Sequence, residues 1–125
     1  MKKISTDKAP AAIGPYSQAI EAGGFLFASG QIPINPATGN VEAEGITAQA
    51  EQSMKNVGEI LKAAGLTYDN VVKTTCYLAE IADFAAFNEV YAKYFTQNPA
   101  RSCVAVKDLP KGVLCEVEVT AYREN

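Results

Sequence analysis

The side chain with the clearest chemical potential is Arg101, at the start of a short apolar stretch over residues 99–106. The stretch predicts a β-strand entered through a proline turn, with Arg101, Cys103 and Ala105 on one face. A permanent charge on an otherwise apolar strand face requires an anionic partner. The guanidinium fork matches a carboxylate through two parallel hydrogen bonds, so we predict that Arg101 binds a small carboxylate ligand. An internal ion pair with an acidic residue is the structural alternative.

A second candidate is Glu116, in a strand predicted over residues 113–123. Alternation places Glu116 and Glu118 on the face opposite the core. A solvent-exposed position is the default expectation for Glu118. Glu116 is the stronger candidate, because the apolar Leu114 precedes it on the same face. A hairpin joining this strand to that of Arg101 would set Glu116 and Arg101 at comparable depth. They would then form an ion pair, or stand a few ångströms apart with a small molecule between them.

The absence of histidine limits the chemistry open to these residues. It removes the commonest general base, the usual metal ligand, and every Ser-His or Cys-His arrangement. With a carboxylate on Arg101 and a water oriented by Glu116, the electrophile must already be activated. Hydrolysis of a protonated imine beside a carboxylate meets this condition, because it needs positioning and acid–base help rather than a strong nucleophile. We therefore predict an enzyme without a metal or a cofactor.

Five further positions are candidates for the pocket wall. Tyr16 offers a phenol, and a half-buried core position is its alternative. Ser29 offers a hydroxyl whose alternative is a local backbone hydrogen bond, and Gly30 allows close approach to the backbone. Cys103 is a candidate nucleophile beside a cation, but without a histidine base we favour a wall position whose backbone N–H assists Arg101. Asn88 is the weakest candidate, since a solvated helix position is the default.

The elements that must position these residues are predicted in the order hairpin, helix, strand, helix, strand, strand. This order favours an α+β domain with one sheet and both helices on one face. The predicted bounds are residues 16–22 and 25–31 for the hairpin, 46–64 for the first helix, 70–78 for the next strand, the N-cap Asp83 to Asn98-Pro99 for the second helix, and 99–106 and 113–123 for the last two strands.

Composition restricts the class of protein. At 125 residues the chain is predicted to form one domain over residues 1–125. A net charge of −3 and a pI near 4.9 argue against nucleic acid as a partner. Three cysteines without CxxC spacing predict reduced thiols in a cytoplasmic protein. Neither a signal peptide nor a membrane span is expected.

Four stretches carry a resemblance to a known family: AAIGPYSQA at residues 11–19, SGQIP at 29–33, PARSCV at 99–104 and EVE at 116–118. In this order, and across residues 9–122, they resemble the RidA (YjgF/YER057c/UK114) family of reactive-intermediate deaminases. The resemblance implies a chorismate-mutase-like α+β fold with a single mixed sheet. It also implies a homotrimer with active sites in clefts between subunits.

The implied activity is hydrolysis of 2-iminobutanoate and 2-iminopropanoate to 2-oxo acids and ammonia. By resemblance, Arg101 binds the substrate carboxylate with help from the backbone at Cys103, and Glu116 orients or activates water. The remaining pocket-lining positions of the family correspond to Tyr16, Ser29, Gly30 and Asn88. The segment Thr96–Asn98 before PARSCV is shorter than in many relatives, which alters the rim of the cleft.

Two other functions stay open at this point. A non-catalytic trimer that senses small carboxylates would use Arg101 without requiring an acidic Glu116. A ribonuclease or translation inhibitor, as reported for relatives of the family, is disfavoured by the acidic pI and the missing basic stripe. A trimer would bury an exposed face or edge of the sheet, and a neighbour would then complete the site through Tyr16 or Phe84.

Overall fold

Strands form where apolar and polar residues alternate, and helices where apolar residues recur at helical spacing. The computed structural model describes residues 1–124, and within them six strands pair in one sheet beside two α-helices. The strands are β1 (Lys2–Ile4), β2 (Ala19–Ala22), β3 (Phe25–Ala28), β4 (Val71–Leu78), β5 (Ala100–Ala105) and β6 (Cys115–Tyr122), and the helices are α1 (Gly45–Ala63) and α2 (Phe84–Tyr94).

The sheet has the strand order β1-β2-β3-β6-β4-β5. Neighbouring strands are antiparallel except for β4 and β5, which are parallel and are connected through α2. A parallel pair needs a crossover of this kind, because the chain must return to the end from which it started. β5 therefore lies at one edge of the sheet, and its outer backbone groups have no strand partner among residues 1–124.

Both helices pack on one face of the sheet. The residues of β4 and β6 on that face, such as Cys76 and Val117, are completely buried, and so are Met54 and Leu61 of α1 and Phe87 of α2. The opposite face, called the open face below, has no helix over it among residues 1–124. Four large apolar side chains on this face are more than a third exposed: Phe25, Phe27, Val104 and Tyr122.

The predicted class is confirmed: the protein is α+β, with one mixed sheet and both helices on one face. The predicted hairpin between the last two strands is wrong. β4 lies between β5 and β6, and the connection over residues 106–114 passes the end of β4, where Val106 and Leu114 bond to the backbone of Leu78 and Ala79.

Two further differences concern the N-terminal part. The strand expected from residue 16 begins at Ala19, because the buried amide of Gln18 bonds to the backbone of Thr6 and Pro10 and holds the lead-in beside it. β1 was not predicted, since three residues carry too little pattern to identify a strand. Over residues 1–124, the helices are too short or too polar to cross a bilayer.

Candidate functional site

Arg101 lies on the helix side of the edge strand β5, against the face of α2. Its Nη1 donates a hydrogen bond of 2.6 Å to Oδ1 of Asn88. The guanidinium carbon also lies 4.7 Å from the ring centroid of Tyr91 and 5.4 Å from that of Phe84, distances at which a cation is attracted to an aromatic face. The ion pairs found within residues 1–124 join Lys93 to Glu51 and Arg123 to Glu21, so the internal ion pair considered for Arg101 is absent there.

An open cleft of about 350 Å³ borders the guanidinium. Asn98, on its rim, has a φ of 53°, in the left-handed region that few residues other than glycine adopt. Asparagine tolerates this conformation better than most residues, and here it turns the chain through Pro99 into β5. The cleft is lined by Asn88, Tyr91, Ala92, Phe95, Asn98, Pro99 and Arg101.

Cys103 lies two residues beyond Arg101 on the same face. In the register of the two strands it lies beside Cys76 of β4, and both cysteines are free thiols. Burial raises the pKa of the Cys103 thiol, and the nearby Arg101 lowers it only in part. The buried Cys76 has its pKa raised to about 12, mainly by burial. Both groups are therefore neutral thiols at neutral pH, which favours the wall position over the nucleophile for Cys103.

Glu116 lies on β6 and points to the open face, beside the segment that follows β3. Gln31 and Val117 exchange backbone hydrogen bonds of 2.8 and 3.1 Å, which hold that segment along β6. The Glu116 carboxylate thus lies directly over Gly30: a Cβ there would be 2.9 Å from the carboxyl carbon. Burial, and then the charge of Glu118, raise the pKa of Glu116. A carboxyl group of raised pKa accepts and returns a proton more readily near neutral pH.

Ser29 and Tyr16 belong to the same region as Gly30. The Ser29 hydroxyl donates a hydrogen bond of 2.6 Å to the Ser17 carbonyl, and its amide bonds to Gln18. The Ser29 hydroxyl therefore bonds to backbone, as in the alternative considered for it, but its acceptor is twelve residues away in sequence rather than local, and the bond ties the Tyr16 segment to Gly30. Tyr16 itself is 54% exposed and lies outside the buried core, so the core position considered for it is not found. Glu118 is exposed to solvent, as predicted for it.

The candidate residues form two clusters on opposite faces of the sheet. In register, Arg101 lies beside Thr74 of β4, and Glu116 lies beside Tyr77, three positions further along. An odd separation along a strand sends side chains to opposite faces. The positions of Arg101 and Glu116 are also about 10 Å apart along the strand direction, because of the three residues, and about 10 Å apart across the sheet, because of the two strand spacings. The prediction that one subunit sets Arg101 and Glu116 at comparable depth is therefore wrong, because β4 separates their strands.

Sequence reasoning missed how α2 holds Arg101. Asn88, the weakest of the predicted pocket positions, shares one helix face with Phe84 and Tyr91 through the spacing of four and three residues, and all three contact Arg101. That spacing was visible in the sequence, but it does not show which strand the helix packs on. Residues 1–124 contain no group of three or more Cys, Asp or Glu side chains placed to hold a metal ion.

Comparison with known proteins gives consistent matches along the whole chain. The family described as Endoribonuclease L-PSP matches residues 6–123. The 2-iminobutanoate/2-iminopropanoate deaminase of Escherichia coli is 49% identical over 126 residues, covering 98% of each chain. A candidate regulator of Lactococcus lactis, AldR, is 53% identical over 122 residues and 97% of each chain.

Among solved structures, Escherichia coli TdcF with bound serine superposes with a TM-score of 0.94 at 44% identity, over 99% of this chain and 100% of that one. These relatives carry the names of a deaminase and a regulator, and the matching family carries that of an endoribonuclease. Identity at this level over nearly the full length shows common descent. The chain belongs to the Endoribonuclease L-PSP family, which is the RidA (YjgF) family that its four motifs resemble.

Proposed function

We propose that this protein hydrolyses 2-imino acids, with 2-iminobutanoate and 2-iminopropanoate as substrates, to 2-oxo acids and ammonia. The observation that carries the proposal is the state of Arg101. Its guanidinium is held by one amide oxygen and two aromatic rings at the border of a cleft, with no carboxylate paired to it within residues 1–124. A half-buried cation without a counter-ion favours an anionic ligand.

The reaction follows from the two clusters. Arg101 binds the substrate carboxylate, with a backbone N–H of the edge strand, that of Cys103, as a second donor. Glu116 removes a proton from a water molecule as its oxygen adds to the C=N⁺ carbon. The same carboxyl group then returns the proton to nitrogen. As the C–N bond breaks and ammonia leaves, the C=O bond forms and the hydroxyl proton passes to the Glu116 carboxylate, which releases it to solvent. Ser29, Gly30 and Tyr16 line the Glu116 side of the site.

Two copies of the chain are needed to bring these clusters together. Arg101 is at a sheet edge and Glu116 is on the open face, which also bears the exposed Phe25, Phe27 and Tyr122. An edge of one subunit that packs on the open face of the next is a contact between different patches, and such contacts form a closed ring when the rotation between subunits brings the last copy back to the first. We propose a homotrimer with three sites, each formed by Arg101 of one subunit and Glu116 of a neighbour.

The comparisons support the substrate class. One relative at 49% identity is named for this deamination. The TdcF structure is described with bound serine, an amino acid that, like a 2-imino acid, carries a carboxylate next to a carbon bonded to nitrogen.

The proposal is tested by a coupled assay in which a threonine dehydratase generates 2-iminobutanoate. Arg101→Ala should abolish accelerated 2-oxobutanoate formation, and Arg101→Lys should fail nearly as badly because an ammonium does not provide the planar fork. Arg123→Lys is the matched control, since Arg123 is the other arginine of the chain and pairs with Glu21. Full activity of either Arg101 variant would exclude the mechanism.

A non-catalytic carboxylate sensor is the second candidate. It is favoured by the independence of the Arg101 cluster from Glu116 and by the regulator name of one relative. Binding of 2-oxobutanoate by the wild type, without acceleration of imine hydrolysis at any concentration, would favour the sensor. Ribonuclease activity is disfavoured, because a net charge of −3 does not attract a phosphate backbone.

A further inference from the structure

We infer that Tyr91, oriented by Thr74, is a positioning residue that holds the guanidinium of Arg101 ready for a two-pronged bond to a carboxylate. The inference rests on the proposed function for the identity of the ligand. Tyr91 acts through Arg101.

The first step is the link between Thr74 and Tyr91. Thr74 is completely buried on β4, and its hydroxyl lies 2.8 Å from the hydroxyl of Tyr91. A buried hydroxyl without a partner is costly, so each group strongly favours the one geometry that satisfies the other. The bond fixes the far end of the Tyr91 ring to the sheet.

The second step is the link between Tyr91 and Arg101. Thr74 is the residue that lies beside Arg101 in the parallel pairing of β4 and β5. Thr74, which anchors the Tyr91 ring, and the backbone of Arg101 therefore lie at the same level along their two neighbouring strands. The ring reaches back over the guanidinium, with 4.7 Å between its centroid and the guanidinium carbon. Burial also raises the pKa of Tyr91, so the phenol stays neutral and does not replace the ligand as a counter-ion.

The third step is the orientation of the fork. The Tyr91 ring supports the guanidinium, and the amide oxygen of Asn88 binds Nη1 and thereby limits rotation of the group. The remaining N–H groups are then available to a ligand without a search through the many rotamers of a free arginine. Preorganisation of this kind increases affinity by lowering the entropy lost on binding.

The test uses Tyr91→Phe and Thr74→Val, each of which removes one hydroxyl while nearly preserving shape. The first readout is nitrogen-15 NMR of arginine Nε–H groups, which needs no activity. The chain has only two arginines, so Arg123 is an internal reference. We expect the heteronuclear NOE of Arg101 to fall in both variants and that of Arg123 to stay unchanged. An unchanged NOE for Arg101 would overturn the inference.

The second readout is the Kd of 2-oxobutanoate by calorimetry. The loss of one buried hydrogen bond predicts a Kd about threefold to tenfold higher in each variant, with no further increase in the double variant because both act on the same chain of contacts. Thr74→Ser keeps the hydroxyl and should retain the wild-type Kd. It also shows whether an effect of Thr74→Val arises from the lost bond or from failure to fold.

Tyr68→Phe is the matched control, because the Tyr68 hydroxyl bonds to the Met54 carbonyl away from Arg101. It should change neither the NOE of Arg101 nor the Kd. If the wild type shows no imine turnover, the proposed function fails, while the NOE still tests the positioning. If the wild type turns over imine and the variants keep both its NOE and its Kd, the positioning alone is wrong.

Discussion

The carboxylate of Glu116 lies over the backbone of Gly30, in the space that a side chain at position 30 would occupy. The φ of Gly30 is not in the left-handed region, so residues other than glycine could adopt the backbone conformation at this position. Glycine is required here by the close approach of the carboxylate rather than by backbone conformation. The glycine of the SGQIP stretch and the glutamate of the EVE stretch, far apart in sequence, thus form one structural unit.

Gly30→Ala should therefore displace Glu116 without touching Arg101. We expect imine turnover to fall by about a hundredfold, as for other small displacements of a catalytic group, with the Kd of 2-oxobutanoate nearly unchanged. The coupled assay and calorimetry measure the two quantities. In a Glu116→Gln background the alanine should add little further loss, because the group it displaces is already inactive. A large increase in Kd with unchanged turnover would contradict this explanation.

Glu116→Gln should raise the free energy of unfolding at pH 7 while reducing turnover. Burial raises the folded-state pKa of Glu116 above its ordinary value of 4.5, so the native state binds more protons than the unfolded state between the two pKa values. Stability of the wild type therefore falls as pH rises from about 4.5 through the raised pKa. Urea unfolding at fixed protein concentration should show the advantage of the variant at pH 7 and its disappearance below about pH 4.

The exposed neighbour provides the control for that experiment. Glu118→Gln should have a smaller effect on stability, since it relieves only the repulsion of Glu116, and it should retain turnover. A wild type more stable than Glu116→Gln at pH 7 would show that the carboxylate is stabilised in the native state.

Phe27→Glu should separate the proposed trimer. Phe27 is 50% exposed on the open face, beside Phe25 with 6.0 Å between ring centroids, and a charge in an apolar contact between subunits is strongly unfavourable. Light scattering should give three times 13.3 kDa for the wild type and 13.3 kDa for the variant, and turnover should be lost. Thr47→Glu, exposed at the start of α1, should change neither. A wild-type monomer with full turnover would exclude the composite site.

Subunits of Arg101→Ala and Glu116→Gln should restore activity when refolded together in equal amounts. Each site would take Arg101 from one subunit and Glu116 from its neighbour. In randomly mixed rings, each of these two residues is native at a given site with a chance of about one half, so about a quarter of the sites keep both. The coupled assay should then give about a quarter of wild-type turnover. No recovery in verified mixed trimers would place both residues in one subunit.

Local features of the fold were predictable from the sequence. The alternation in β6 correctly separated Glu116 and Glu118 from the core, and the helical spacing located α1 and α2 to within a few residues. Asp83 does occupy the N-cap of α2, although its side chain makes no capping hydrogen bond. These features depend on neighbouring residues, which a single sequence shows directly.

By itself, the sequence determined the local elements other than β1, the identity of the chemically capable residues and the four motifs that mark the family. Only the tertiary structure decided that β4 lies between β5 and β6, that Arg101 and Glu116 point to opposite faces, and that α2 brings Asn88 and Tyr91 to Arg101. The physical reason is that strand order depends on packing between distant segments. Alternation shows which side of a strand is buried, but not which strand lies beside it.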